Sequence, residues 1–335
     1  MKIITSDTPI TSSDRAFNYG DGVFTTICVA NDHPELLSLH LSRLSHDCAA
    51  IGLSIDTHIL ERAIWSKIKA LQPSSVLKSK EPSQIGVEKS GLSEVGSNPL
   101  QHDKSEIKYV LKVHISGGEA GRGYSRDETN PPLVRFTQHP YPTHYDFLLG
   151  TGVTLMCAQT ALAIQPALAG IKHMNRLEQV LIKREINFAN VDDALVCDTQ
   201  GNVIECSAGN IFFFANEIWC TPSLTGSGVN GVVRQCLLNA LGDEEVSYKV
   251  GEFTLNDLMR ADCVVITNAL MKVLPVKSIS FTDGSTSIYS VNDNNIHTLQ
   301  SLLLKCIDEQ RSYESRTLEQ RGAEALSHQS KRQES

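Results

Sequence analysis

Ala194-Leu195-Val196-Cys197-Asp198-Thr199-Gln200-Gly201-Asn202-Val203-Ile204-Glu205-Cys206 reads as strand, turn, strand. Two short apolar runs flank a cluster of turn-forming residues, the pattern of an antiparallel hairpin. Downstream, residues 211–214 and 218–220 predict two more strands, and Gly228-Val229-Asn230-Gly231 turns into a helix over 232–241. Thr254 is placed to cap a short helix over 255–260, ahead of a buried strand, Cys263-Val264-Val265-Ile266-Thr267. Upstream, a strand over 153–157 leads through a loop with Pro166 and Gly170 to Ile171-Lys172-His173-Met174-Asn175, after which Leu177, Val180 and Leu181 mark a helix face.

The N-terminal half alternates in the same way. Val23-Phe24-Thr25-Thr26-Ile27-Cys28-Val29 is a β-type run. Leu37, Leu41, Leu44, Cys48 and Ile51 fall at helical spacing, as do Ile59, Leu60, Ala63, Ile64, Ile68 and Leu71. Strands follow over 109–115 and 133–136, separated by the glycine-rich turn Gly117-Gly118-Glu119-Ala120-Gly121-Arg122-Gly123-Tyr124. Strands and helices mixed in both halves give an α+β or α/β class with two domains. The expected division is 1–148 and 149–310, with a flexible Ser-, Lys-, Glu- and Gly-rich insertion at 73–107 and a polar, disordered tail at 311–335.

The 335 residues are 41% hydrophobic and 20% charged, an ordinary globular balance, with a net charge of −8. An acidic chain is a poor electrostatic match for nucleic acid or an anionic membrane, so neither is expected as a partner. No apolar run reaches the roughly 18–20 residues of a membrane helix, and the first residues carry no secretory pattern. The nine cysteines are scattered without a CxxC pair. That favours reduced core thiols in a cytoplasmic protein over a disulfide framework or a metal site, and no metal is expected.

Several residues have chemical potential, each with a plain alternative. The turn at 228–231 enters a helix whose first turn has no acid, so free N–H groups and the positive helix end could cradle a phosphate. Many helices start on such a turn without a ligand. Lys172, between Ile171 and Met174, could be a Schiff-base nucleophile with a depressed pKa or a solvated lysine. Glu205 lies in an apolar strand. Buried, it needs a cationic partner; turned outward by alternation, it needs none. Arg43 is either a surface ion-pair residue or a phosphate clamp, and Arg122 either binds a carboxylate or holds its own loop.

Five segments, in this order, resemble the fold-type IV enzymes dependent on pyridoxal 5'-phosphate (PLP). They are Asp14-Arg15-Ala16-Phe17-Asn18-Tyr19-Gly20-Asp21-Gly22-Val23-Phe24, His40-Leu41-Ser42-Arg43-Leu44, Lys172-His173-Met174-Asn175, Glu205-Cys206-Ser207-Ala208-Gly209-Asn210-Ile211-Phe212 and Gly231-Val232-Val233-Arg234. The resemblance implies a D-amino-acid-aminotransferase-like fold and assigns roles. Lys172 is similar to the residue that carries PLP covalently and acts in catalysis. Glu205 is similar to the carboxylate that pairs with the pyridine nitrogen. Arg43, Gly231, Val232, Val233, Asn268 and Ala269 resemble the phosphate cup. Thr26 and Arg122 are implied as substrate contacts.

Within the family, Gly121-Arg122-Gly123-Tyr124-Ser125, the run 170–180 and Asn268-Ala269-Leu270-Met271 resemble its aminodeoxychorismate lyase branch. Arg176 stands where many of the aminotransferases have Tyr, and Gly117 where that branch has Arg. The implied activity is release of pyruvate and 4-aminobenzoate in folate biosynthesis. The rivals are a D-amino-acid or branched-chain aminotransferase on the same residues, and a non-catalytic PLP-binding protein. The family also implies a homodimer acting on a small-molecule substrate.

Overall fold

The computed structural model describes residues 1–71, 107–119, 121, 123–127 and 129–333, with side chains up to Glu314. The insertion read at 73–107 lies outside the described residues except for Ile107. The first part of the chain contains β1 (Lys2–Ile4), α1 (Arg15–Tyr19), β2 (Gly22–Ala30), β3 (His33–Pro34), α2 (Leu37–Ala50), α3 (Thr57–Ala70), β4 (Lys108–Ser116), β5 (Leu133–Pro140) and α4 (His144–Thr151). The second contains β6 (Val153–Cys157), α5 (Leu177–Ala189), β7 (Asp193–Cys197), β8 (Val203–Cys206), β9 (Asn210–Ala215), β10 (Ile218–Pro222), α6 (Val232–Asp243), β11 (Tyr248–Gly251), α7 (Leu255–Met259), β12 (Cys263–Asn268), β13 (Lys272–Ser280), β14 (Thr286–Ile288) and α8 (Asn294–Gln333).

The strands form two sheets, one per domain. The first has the order β1-β5-β4-β2-β3. Helices α2 and α3 cover one face of it. Leu37, Leu44 and Cys48 from α2 and Leu60, Ile64 and Ile68 from α3 meet Ile27, Val29, Leu111 and Val113 in a single apolar cluster. Asp56 starts α3 by accepting the Ile59 N–H at 2.9 Å. Strand alternation puts Phe24, Thr26 and Lys112 on the other face, and Thr26 lies directly opposite Lys112 in the antiparallel β2–β4 ladder.

The second sheet has nine strands, in the order β11-β10-β9-β12-β13-β6-β7-β8 with β14 beside β13. Its core includes Phe212, Phe213, Trp219, Val264 and Leu274, all nearly free of solvent contact. Helix α8 adds Ile296, Leu299, Leu303 and Ile307 at helical spacing. Helical backbone continues to Gln333, so the polar tail expected from 311 onward is helix up to that residue. Seven of the nine cysteines are buried.

The segment around Lys172 bridges the two domains, beside contacts such as Tyr141 to Leu270 and Lys272 to Glu35. The Phe24 N–H donates to the Lys172 carbonyl (3.0 Å) and the Met174 N–H to the Gly22 carbonyl (2.9 Å), so residues 172–174 extend the free edge of β2. Gly170 pairs in the same way with the turn before α6: its N–H donates to Gly228 O, and its carbonyl accepts from the Asn230 N–H, each at 2.9 Å.

Candidate active site

A cavity of about 370 Å³ opens between the two sheets, at the ends of β2, β8 and β12 and the start of α6. Lys172, Glu205, Arg43, Gly231, Val232, Asn268, Ala269 and Thr26 all line it, although up to 243 positions separate them in sequence. Val233 is buried in the first turn of α6, beside this lining rather than in it. Arg122 lies outside the described residues. Its neighbours Gly123, Tyr124 and Ser125 give their carbonyls to Arg15, away from this cavity.

Lys172 is half-buried, with Nζ 4.8 Å from the centre of the Phe24 ring. Burial brings its amine well below the ordinary lysine range. Arg43 and Arg176 push in the same direction, while Glu205 and Asp47 oppose them. Glu205 is 5% exposed, so of its two sequence readings the buried one holds. Its Oε2 accepts the Val229 N–H at 2.9 Å. Burial raises this carboxyl, and the Val229 N–H, Arg176 and Lys172 pull it back only in part. An amine and a carboxyl, each shifted toward neutrality by a shared apolar setting, is a pattern typical of functional sites.

Helix α6 follows the N-cap Gly231, with no acid in its first turn and no side-chain cap hydrogen bond, and Gly231 and Val232 bring this helix end to the cavity wall. Gly231 is required there because a Cβ would collide with Asn210 Oδ1, the acceptor of the Gly231 N–H at 3.1 Å. Asn210 also donates to Val229 O at 2.8 Å, which fixes the turn from both sides. Arg43 donates from Nη2 to Thr25 Oγ1 at 2.6 Å, and its buried Nε has no hydrogen-bond partner among the described residues. Thr267 Oγ1, at the end of β12, is likewise buried without one. The Asn268 side chain holds its own turn by accepting the Leu270 and Met271 N–H groups, each at 2.8 Å. Arg176 bends back to donate to the carbonyls of His173 (2.8 Å) and Ile171 (3.1 Å), bracing the lysine loop.

The sequence reading missed Lys112, Tyr145, Asn210 and Thr267, all of which line the cavity. Lys112 faces it only through its register with Thr26, which no local pattern encodes.

Comparison with known proteins gives the family. The family model for class IV amino-transferases matches residues 22–279. The chain belongs to the class IV amino-transferase family. Within the family, an aminodeoxychorismate lyase of Vibrio harveyi is 35% identical over 273 residues, covering 82% of this chain and 88% of that one. A D-alanine aminotransferase of Bacillus licheniformis is 25% identical over 282 residues, covering 84% and 86%. Among solved structures, 4-amino-4-deoxychorismate lyase from Pseudomonas aeruginosa superposes with a TM-score of 0.73 at 27% identity, covering 89% of this chain and 95% of that one. The class IV fold, an α+β arrangement of two sheet-and-helix domains, is the one described above.

Proposed function

We propose that this protein is an aminodeoxychorismate lyase that uses pyridoxal 5'-phosphate to convert 4-amino-4-deoxychorismate into 4-aminobenzoate and pyruvate. The single observation that carries the reading is the pairing of a desolvated Lys172 amine with the buried Glu205 carboxyl across one cavity that ends on an uncapped helix N-terminus. The similarity to lyases from two organisms supports it over the other chemistries of the family.

The residues present fit the cofactor. The α6 N-terminus and the unpartnered Arg43 Nε suit a phosphate dianion, and the buried Glu205 suits a cationic ring nitrogen. Lys172 would hold the cofactor's aldehyde carbon. When bound, the cofactor supplies an electron sink for negative charge developing next to the substrate nitrogen.

The chain's own groups do the rest. A neutral Lys172 amine, favoured by burial, takes the proton from C4 of the substrate. The bond between the ring and the enolpyruvyl oxygen breaks, and the same lysine is placed to return a proton to the departing fragment. Glu205 keeps its partner nitrogen protonated throughout. Lys112 and Thr26, opposite each other in the β2–β4 ladder, line the same cavity as Lys172, where a cation and a hydroxyl can receive a substrate carboxylate. The product would serve folate biosynthesis.

The proposal includes a cytoplasmic homodimer. On α5, directly after the lysine loop, Leu177 (71% exposed), Val180, Leu181 and Phe188 (95% exposed) form an uncovered apolar stripe that suits a second copy. Sedimentation of the holoenzyme tests the dimer.

The decisive assay measures pyruvate and 4-aminobenzoate released together from aminodeoxychorismate. Equal release of both supports the lyase. If D-alanine instead converted the cofactor to its amine form with no pyruvate from aminodeoxychorismate, the aminotransferase reading would replace it.

A further inference from the structure

Helix α2 carries the buried His40 and Asp47 and the half-buried Arg43 at the seam between the domains, and Asp47 has no role in the reading above. It is fully buried. Its Oδ2 accepts the backbone N–H of Lys172 at 3.0 Å, whereas its Oδ1 has no hydrogen-bond partner among the described residues. A half-satisfied buried carboxylate is costly, and a neutral amide could accept the same N–H. The negative charge is therefore the feature that needs a purpose.

The charged groups around it supply one. Arg43 and His46 face Asp47 from its own helix, and Lys172 and Arg176 face it from the lysine loop, while Glu205 faces Lys172 from β8. Burial raises the Asp47 carboxyl above the ordinary aspartate range, and the Lys172 N–H, Arg43, His46 and the Lys172 amine offset this only in part. Two guanidinium groups and desolvation all act to strip the proton from the Lys172 nitrogen, and Asp47 acts against them from behind the backbone of that residue.

We infer that Asp47 is a positioning residue for the reactive lysine: its Oδ2 fixes the backbone from which Lys172 projects, and its charge sets how readily the Lys172 nitrogen holds a proton. This rests on the reading of Lys172 as the residue that carries the cofactor.

The test is the pH midpoint of the visible absorbance of the holoenzyme, which follows protonation at the Lys172 nitrogen. Asp47→Asn keeps an acceptor for the Lys172 N–H and removes the charge. Its midpoint is expected about one pH unit below that of the parent, the scale of one nearby opposite charge, with the melting temperature little changed. An unchanged midpoint in folded Asp47→Asn overturns the inference. Should that variant not fold, Asp47→Glu, which keeps the charge, is expected to titrate with the parent, and a lowered midpoint there overturns it equally. The underlying reading fails separately, if Lys172→Ala retains the visible band.

Discussion

Two cavities of similar volume lie on either side of the lysine loop, and they handle charge in opposite ways. The first, of about 370 Å³, is the candidate active site. The second, of about 390 Å³, is lined by Arg15, Asp21, Arg126, Tyr124 and His173. In the second, the carboxylate and guanidinium charges satisfy one another, although His173 Nδ1 is buried without a partner among the described residues. Asp21 accepts from Arg15 Nε at 2.7 Å, from Arg126 Nε at 2.8 Å and from Arg126 Nη2, and other guanidinium N–H groups donate to the carbonyls of Tyr124, Ser125 and Ile51. Burial pushes the Asp21 carboxyl up, but Arg126 and Arg15 outweigh it and hold it below the ordinary aspartate range. In the first cavity, Lys172 and Glu205 are shifted by burial toward their neutral forms, and Arg43 Nε and Thr267 Oγ1 are unpartnered among the described residues. A closed network of charges holds loops together, whereas a set left open in a cavity is a set waiting for a ligand.

That contrast can be broken by substitution. The largest effect is predicted for Lys172→Ala, which should abolish both turnover and the visible band of the bound cofactor; an active variant would remove the lysine from the chemistry. Glu205→Gln comes next. It should retain cofactor yet lose on the order of a hundredfold in kcat, because the partner of the ring nitrogen can no longer carry charge. A rate equal to that of the parent would assign Glu205 to structure alone.

A smaller effect concerns pH. The depressed Lys172 amine is protonated, hence not nucleophilic, at pH below its midpoint, and the raised Glu205 carboxyl is neutral below its own. Both changes favour cofactor capture as pH rises, so reconstitution of apoprotein should accelerate between about pH 6 and pH 8. A rate that is flat or falling over that range, followed by stopped-flow absorbance, would contradict the assignment of the two shifts.

The smallest effect on activity belongs to the closed network. Asp21→Asn should leave cofactor affinity unchanged and cost about 2 kcal/mol of stability, as expected for lost charged hydrogen bonds. Because the folded carboxyl is depressed, this stabilisation is present above the unfolded aspartate pKa and disappears as pH falls through the folded one. Denaturant titrations of parent and variant should therefore converge in acid. A constant gap at all pH values would show that the loss is not electrostatic.

Legibility of the fold followed the locality of its signals. The hairpin β7–β8 and helices α2, α3 and α6 were readable because each period and each turn lies within a dozen residues. The Thr254 cap was readable for the same reason: its hydroxyl and its N–H both donate to Asp257, at 2.8 and 2.7 Å. Strand β13 was not readable, since it opens with Lys272 at φ 62° and carries Pro275 in its middle, both of which argue locally against a central strand. Helix α4 has eight residues with little amphipathic contrast, next to prolines that read as a boundary. Helix α8 hides its start in Asn294 and Asn295 and runs on through a polar stretch that looks disordered by composition.

The order of the motifs along the chain was enough to indicate the family, and through that resemblance to propose roles for Lys172, Glu205 and the turn before α6 that no one of these residues implies by itself. Only the folded chain decided that Glu205 is buried, that Lys112 lines the same cavity as Lys172, and that Asp47 accepts the Lys172 backbone N–H. Those outcomes depend on strand register and on the docking of two domains. The energies responsible come from contacts between residues scores of positions apart, and a linear pattern does not record them.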